Sequence, residues 1–415
     1  MKRSIWVVGH SGPRVSLGLA VAVSLTFVFT SAALRAAEDS PPAAQAQQEK
    51  PASEDPAAKG GFDPFNVPNV MGEELRGYFE KLSAWQPAFD PAARRDKELQ
   101  MKLRDEYLRS RKNLVAVADK LLAEKPEEAV RIQVTQAKWM SLRLLSNFED
   151  SYTAPYEKLT QELMTDSNPE LAQMAQRMHL MNRISGLVEE TSKESPQQVY
   201  ADVMKLANAS KEVNPETLGL LDNTAYIMEM IGQYPLATEI HNWVIKAAQQ
   251  QPSPQLEQAK GQSEKALKRI GLIGQPLDLK GHLLDGSEID LSNYKGKVVL
   301  VDFWATWCGP CIAELPNVQE NYKKYHDEGF EVIGISLDET VEPLVEFIKE
   351  KNLPWSQIFS KDESTRGFSD PRVDQFGVNG IPATFLVGKD GKIVHVNVRG
   401  HRLGKLLEEM LGPQK

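Results

Sequence analysis

Between Met71 and Gly271 apolar residues return at three- and four-residue steps almost without a break. Val130, Val134, Ala137, Leu144 and Phe148 form one series, Leu171, Met174, Met178, Met181 and Val188 a second, and Leu236, Ile240, Trp243 and Ala247 a third. Side chains spaced in this way share one face of a helix, so each series predicts a helix with one buried side. Pro126, Asn168-Pro169, Ser195-Pro196, Asn214-Pro215 and Ser253-Pro254 punctuate the pattern, several with an Asn or Ser cap ahead of a first-turn proline. Short connections between about seven such helices imply antiparallel hairpins. The methionines around His179 lie at helical spacing and are expected to pack rather than to bind a metal or haem.

After Gly271 the period changes. Leu277, Leu279, Leu283-Leu284, Ile289 and Leu291, with Asp285-Gly286 between them, read as a short hairpin. Val298 to Trp304 and Phe330 to Leu337 are uninterrupted apolar runs, the mark of buried strands, and Trp355 to Ser360 suggests a shorter one. Helical patterns cover Gly309 to Tyr325, Val341 to Lys351 and Leu403 to Leu411. Thr384 to Val387 and Ile393 to Val398 form a second hairpin across Asp390-Gly391. Strands alternating with helices predict an α/β domain over 272–415, a mixed sheet flanked by helices, preceded by an all-α bundle or solenoid over 70–271. The first of these is expected to fold and work alone.

Lys2, Arg3 and Arg14 precede an uncharged stretch from Val15 to Leu34, and Ser31, Ala32, Ala33, Ala36 and Ala37 supply the small residues a signal peptidase needs. Residues 1–37 are therefore expected to export the chain, either as a cleaved signal peptide, with a mature start between Leu34 and Glu38, or as an uncleaved membrane anchor. Residues 38–69 are rich in proline, alanine and glutamine and read as a disordered spacer. With a formal charge of −9 and no basic cluster, nucleic acid is excluded as a partner class.

The chain's two cysteines, Cys308 and Cys311, flank Gly309-Pro310 directly after the apolar run ending at Trp304. A four-cysteine zinc site would need a second pair. A c-type haem attachment would need His where Ile312 stands, and His282, His326, His395 and His401 show no metal-ligand spacing. No metal or other cofactor is expected, and the pair reads as a disulfide that closes and reopens. At the junction of a strand and a helix, Cys308 meets unpaired N–H groups and the positive end of the helix dipole, which favour its thiolate and make it the nucleophile. Cys311, one turn in, is placed to resolve a mixed disulfide. Asp302 is an acid inside an apolar strand, a candidate proton shuttle for Cys311 or else a carboxylate bonded to nearby backbone or lysine. Glu314 lies on the dithiol face of the helix, a second candidate or else a solvated helix carboxylate.

Val301-Asp302-Phe303-Trp304-Ala305 with Trp307-Cys308-Gly309-Pro310-Cys311 is similar to thioredoxin, and Pro316 matches the proline that kinks its active-site helix. Cys311-Ile312-Ala313-Glu314-Leu315-Pro316 and the helix and strand over Val341 to Ser360 resemble the TlpA/ResA-like thiol-disulfide oxidoreductases. Gly380-Ile381-Pro382-Ala383-Thr384 resembles the segment whose cis-proline lies against the disulfide. The resemblance implies a thioredoxin fold over 272–415, and a substrate strand held by Trp307, Gly309, Pro310, Ile381 and Pro382. It implies extracytoplasmic, periplasmic work on disulfide-bearing exported proteins, with a membrane thiol-disulfide donor to regenerate the dithiol. Gly309-Pro310 and Asp302 are thioredoxin-like, where ResA-like proteins often have Glu-Pro and no buried aspartate; by that resemblance the direction is reductive.

Two other readings stand beside this one. A peroxiredoxin-type peroxidase would have Pro and Thr where this chain has Val301 and Ala305. Alternatively the helices form a partner-binding module with an accessory redox-sensing pair. Ile231-Gly232-Gln233-Tyr234 with Ala237 resembles part of a tetratricopeptide repeat, without a second copy at a period near ~34 residues.

Overall fold

The computed structural model describes residues 62–87, 96–188, 193–209 and 212–413. The expected leader or anchor and most of the spacer lie outside these. Among the described residues no helix is long and apolar enough to cross a membrane. The chain divides into two compact units, Met1–Gln176 and Arg177–Lys415.

In the first unit, α1 (Gly72–Ala84), α2 (Lys97–Ala123), α3 (Glu128–Ser146) and α4 (Thr153–Leu163) precede α5 (Pro169–Val188), which runs across the division. Leu75, Phe79 and Leu82 of α1 meet Leu114, Val117 and Leu121 of α2 and Val130 and Val134 of α3 in one buried cluster. Phe62, Val67 and Val70, at the end of the spacer stretch, pack against it. Arg111 is buried because it satisfies the last carbonyls of α1, donating to Leu82 O at 2.6 Å and Trp85 O at 3.2 Å.

The second unit holds α6 (Pro196–Ala209), α7 (Pro215–Met230), α8 (Tyr234–Gln250) and α9 (Pro254–Gly271) together with the sheet. Asn214 and Ser253 cap α7 and α9 ahead of a first-turn proline, as their sequence predicts. Among the described residues the periodic stretch carries nine α-helices rather than about seven. The helix after α7 begins with Pro235 in its first turn but has no side-chain cap ahead of it, and the break itself turns at Gly232, whose φ of 78° suits glycine.

Five strands, β1 (Val298–Trp304), β2 (Phe330–Ser336), β3 (Ser356–Ile358), β4 (Ala383–Val387) and β5 (Ile393–Val396), lie in the order β3-β2-β1-β4-β5. β1, β2 and β3 are parallel; β4 and β5 run antiparallel to their neighbours. α10 (Gly309–Tyr325), α11 (Val341–Lys351) and α13 (His401–Leu411) line one face, packing on Val298, Leu300 and Trp304 of β1. On the other face Val299, Val301 and Phe303 meet Val373 of α12 (Pro371–Gln375) and Phe376 just after it, with Tyr234 of α8 and Leu272 and Ile273, which follow α9, at its margin. β1 is therefore buried on both sides along its whole length, as its unbroken apolar run predicts.

The hairpin expected over 277–291 is reduced to single bridges, His282 to Glu288 and Leu283 to Ile358. Its tight turn does form, with Gly286 at φ 85°, and the Leu283 N–H donates across it to Ser287 O at 2.8 Å and the Ile289 N–H to Gly281 O at 2.9 Å, while the outer edge of the first arm joins β3 through Leu283 and Ile358.

Candidate active site

Alternation along β1 puts Asp302 on the same face as Leu300 and Trp304, the face covered by α10. In register it stands between Gly334 of β2 and Thr384 of β4. It is 7% exposed, and its Oδ1 finds no hydrogen-bond partner among the described residues. Burial pushes its carboxyl up from 3.8 to about 7, Arg399 pulling the other way and Glu314 adding to the rise.

After β1 the chain turns through Ala305–Trp307 into α10, with Cys308 as N-cap. Cys308 and Cys311 form a disulfide, S–S 2.02 Å, and Sγ of Cys308 accepts the N–H of Cys311 at 3.2 Å. Pro310 has no N–H to offer in this first turn, so the sulfur takes the role of a capping oxygen. The two cysteines are buried alike, at 4% and 3%. Exposure does not distinguish them; the N-cap position, held by Cys308 alone, does. Trp307, Gly309 and Pro310 are exposed around Cys308, and Trp307 lies 6.4 Å, ring to ring, from the exposed Phe368.

The peptide Ile381–Pro382 is cis. Ile381 packs against the cluster that contains both cysteines. Glu314 is half-buried: Oε1 accepts the Gly400 N–H at 2.8 Å and the Asn317 amide at 2.6 Å, tying α10 to the start of α13. It therefore acts on Asp302 by charge.

Sequence reasoning missed the clasp on the turn before Cys308. Asp338, buried just past β2, accepts the Thr306 N–H at 3.1 Å and its hydroxyl at 2.6 Å, while Ser336 Oγ donates to the other oxygen at 2.7 Å. The available signal was an acid closing an apolar strand that neighbours β1. Trp304 is fixed similarly, its indole N–H donating to Gln357 at 3.0 Å.

A closable cysteine pair at the N-terminus of the helix after the central strand, beside a cis-proline segment, defines a thioredoxin-fold thiol-disulfide oxidoreductase. Residues 273–396 match the sequence model of the AhpC/TSA family. The thiol-disulfide oxidoreductase ResA of Bacillus thuringiensis subsp. konkukian is 35% identical over 128 residues, 31% of this chain and 69% of that protein. ResA of Bacillus subtilis is 31% identical over 112 residues, covering 27% and 59%. The crystal structure of the thioredoxin domain of a thiol-disulfide oxidoreductase from Bacteroides vulgatus is 30% identical, covering 34% of this chain and 97% of that one, with a TM-score of 0.31. Through its C-terminal third the chain belongs to the ResA family of thiol-disulfide oxidoreductases.

Proposed function

We propose that this oxidoreductase works outside the cytoplasmic membrane, reducing disulfide bonds of exported proteins through Cys308 and Cys311. The observation that carries the reading is the capping of α10 by Cys308, whose sulfur receives an N–H where the helix dipole is positive. In the reduced protein the Cys308 thiolate attacks one sulfur of a substrate disulfide. The other substrate sulfur leaves and takes a proton. Cys311 then gives its proton to ionised Asp302 and attacks Sγ of Cys308. The second substrate sulfur departs as a thiol, two electrons have passed to the substrate, and the Cys308–Cys311 disulfide remains.

Exposed Trp307, Gly309 and Pro310 flank Cys308, Ile381 packs against the cluster that holds both cysteines, and with Pro382 they supply the surface for the substrate strand. A membrane dithiol donor reverses the chemistry and restores the thiols. Export is supported by the uncharged stretch from Val15 to Leu34 and the small residues around its end. A peroxidase reading lacks support at Val301 and Ala305, both buried and without a polar side chain.

The roles of the two thiols are tested by trapping. In the native host Cys311→Ser should accumulate mixed disulfides with substrate proteins, which mass spectrometry then names, and Cys308→Ser should accumulate almost none. Equal trapping by both variants, or by neither, would overturn the assignment.

A further inference from the structure

Tyr226 on α7 is far from the dithiol in sequence, yet its hydroxyl accepts a hydrogen bond from Nη1 of Arg399. The guanidinium carbon stands 5.5 Å from the centre of the same ring. Nη2 of Arg399 donates to the carbonyl of Pro382, the residue of the cis peptide. Nε of Arg399 is buried and, among the described residues, has no hydrogen-bond partner, which is also the condition of Asp302 Oδ1. Arg399 directly precedes Gly400, whose N–H is held by Glu314. Thr384, which faces Asp302 in register on β4, donates its hydroxyl to the carbonyl of Val398, the residue before Arg399, so the chain that carries Arg399 is bonded to the neighbour of Asp302; Arg399, beyond the end of β5, and Glu314, on α10, are the charged groups that act on its carboxyl.

We propose that Arg399 is a positioning residue of the redox site: clasped between Tyr226 of α7 and the Pro382 carbonyl, it holds its charge on the buried carboxyl of Asp302 and controls when that group carries a proton. A planar guanidinium suits this place because it can donate in two directions while its charge stays put, which a lysine ammonium on a flexible stem cannot do equally well. The consequence for turnover rests on the reading of Asp302 as proton acceptor for Cys311. Tyr226 makes the helical layer a contributor to the redox site.

The two charges should act with opposite signs. A neighbouring cation favours the ionised carboxyl and a neighbouring anion disfavours it, so Arg399→Gln should move the ionisation of Asp302 to higher pH, by about one unit. Glu314→Gln should move it to lower pH. Arg399→Lys should fall between parent and Arg399→Gln, and Tyr226→Phe, which leaves the charge but removes one clasp, should shift upward by less.

The readout is carbon NMR of the aspartate carboxyls in the full chain in its disulfide form, with Asp302→Asn assigning the signal. A second readout is the pH dependence with which Cys311 expels thionitrobenzoate from a Cys308 mixed disulfide, which should follow the carboxyl midpoint. An unmoved Asp302 midpoint in folded Arg399→Gln and Arg399→Lys overturns the role of Arg399. If Arg399→Gln does not fold, an unmoved midpoint in both Arg399→Lys and Tyr226→Phe overturns it equally. A midpoint that moves while the expulsion profile stays fixed leaves Arg399 in its role and removes Asp302 as the acceptor.

Discussion

At the scale of single residues the site depends on one carboxyl in the wrong solvent. The folded protein holds Asp302 at about 7 against an ordinary 3.8, so the protonated form favours the fold. That stabilisation is complete below about pH 4 and is lost as the pH rises through about 7, at about 1.4 kcal/mol for each unit of displacement. Asp302→Asn keeps the shape and cannot ionise. The variant should therefore gain stability over the parent as the pH rises from 4.5 to 8, read as urea midpoints at the two pH values. An unchanged difference would remove desolvation as the cause. In the same variant the resolving step should slow while alkylation of reduced Cys308 by iodoacetamide is largely kept.

At the scale of elements, β1 ends against two fastenings that lie outside it. Asp338 holds the turn that delivers Cys308, and Glu314 holds the start of α13 against α10. Asp338→Ala would leave the Thr306 N–H and the Ser336 hydroxyl without their acceptor, a cost of about 1–3 kcal/mol for a buried group. The expected outcome is that loss in denaturant unfolding, with altered emission from Trp307 in the native state. Unchanged stability would mean that water replaces the carboxylate. These fastenings show why the sequence was only partly legible. β1, α10 and α11 repeat an apolar pattern over whole turns or alternations, and their expected and observed limits coincide. The thiols announced themselves by spacing. Asp338, Arg399 and Tyr226 act through hydrogen bonds that reach groups 32, 17 and 173 residues away, and such bonds leave no period to read. The five-residue α12 is likewise too short to show one.

At the scale of the whole molecule, the helical layer is bound into the redox unit by buried polar groups. Glu229 of α7 receives Arg269 of α9 at 2.9 Å and the Asn397 amide at 2.8 Å, while Arg269 also donates to the Gly377 carbonyl at 2.7 Å. Burial would raise the Glu229 carboxyl, but His241 and Arg269 more than offset this and hold it lowered. Tyr234 accepts the Val396 N–H at 3.1 Å. A fragment of 272–415 loses all of these partners and bares the apolar margin near Tyr234, Leu272 and Ile273; a fragment of 177–415 keeps them. The longer fragment should be the more stable in urea, by on the order of a few kcal/mol. Equal midpoints would show the α/β part to be self-sufficient.

Gly377, at φ 63°, lies so close beneath α9 that a Cβ there would run into the Lys265 carbonyl and the Arg269 amide. A methyl group at that point would force the backbone of α9 away from the loop before β4, and with it the Arg269 carried one turn further on. The two portions are therefore a matched pair rather than interchangeable modules. A chimaera that joins this dithiol domain to helices from another oxidoreductase inherits a missing side chain at 377, an amide at 397 and an arginine at 399, each shaped for a neighbour it no longer has.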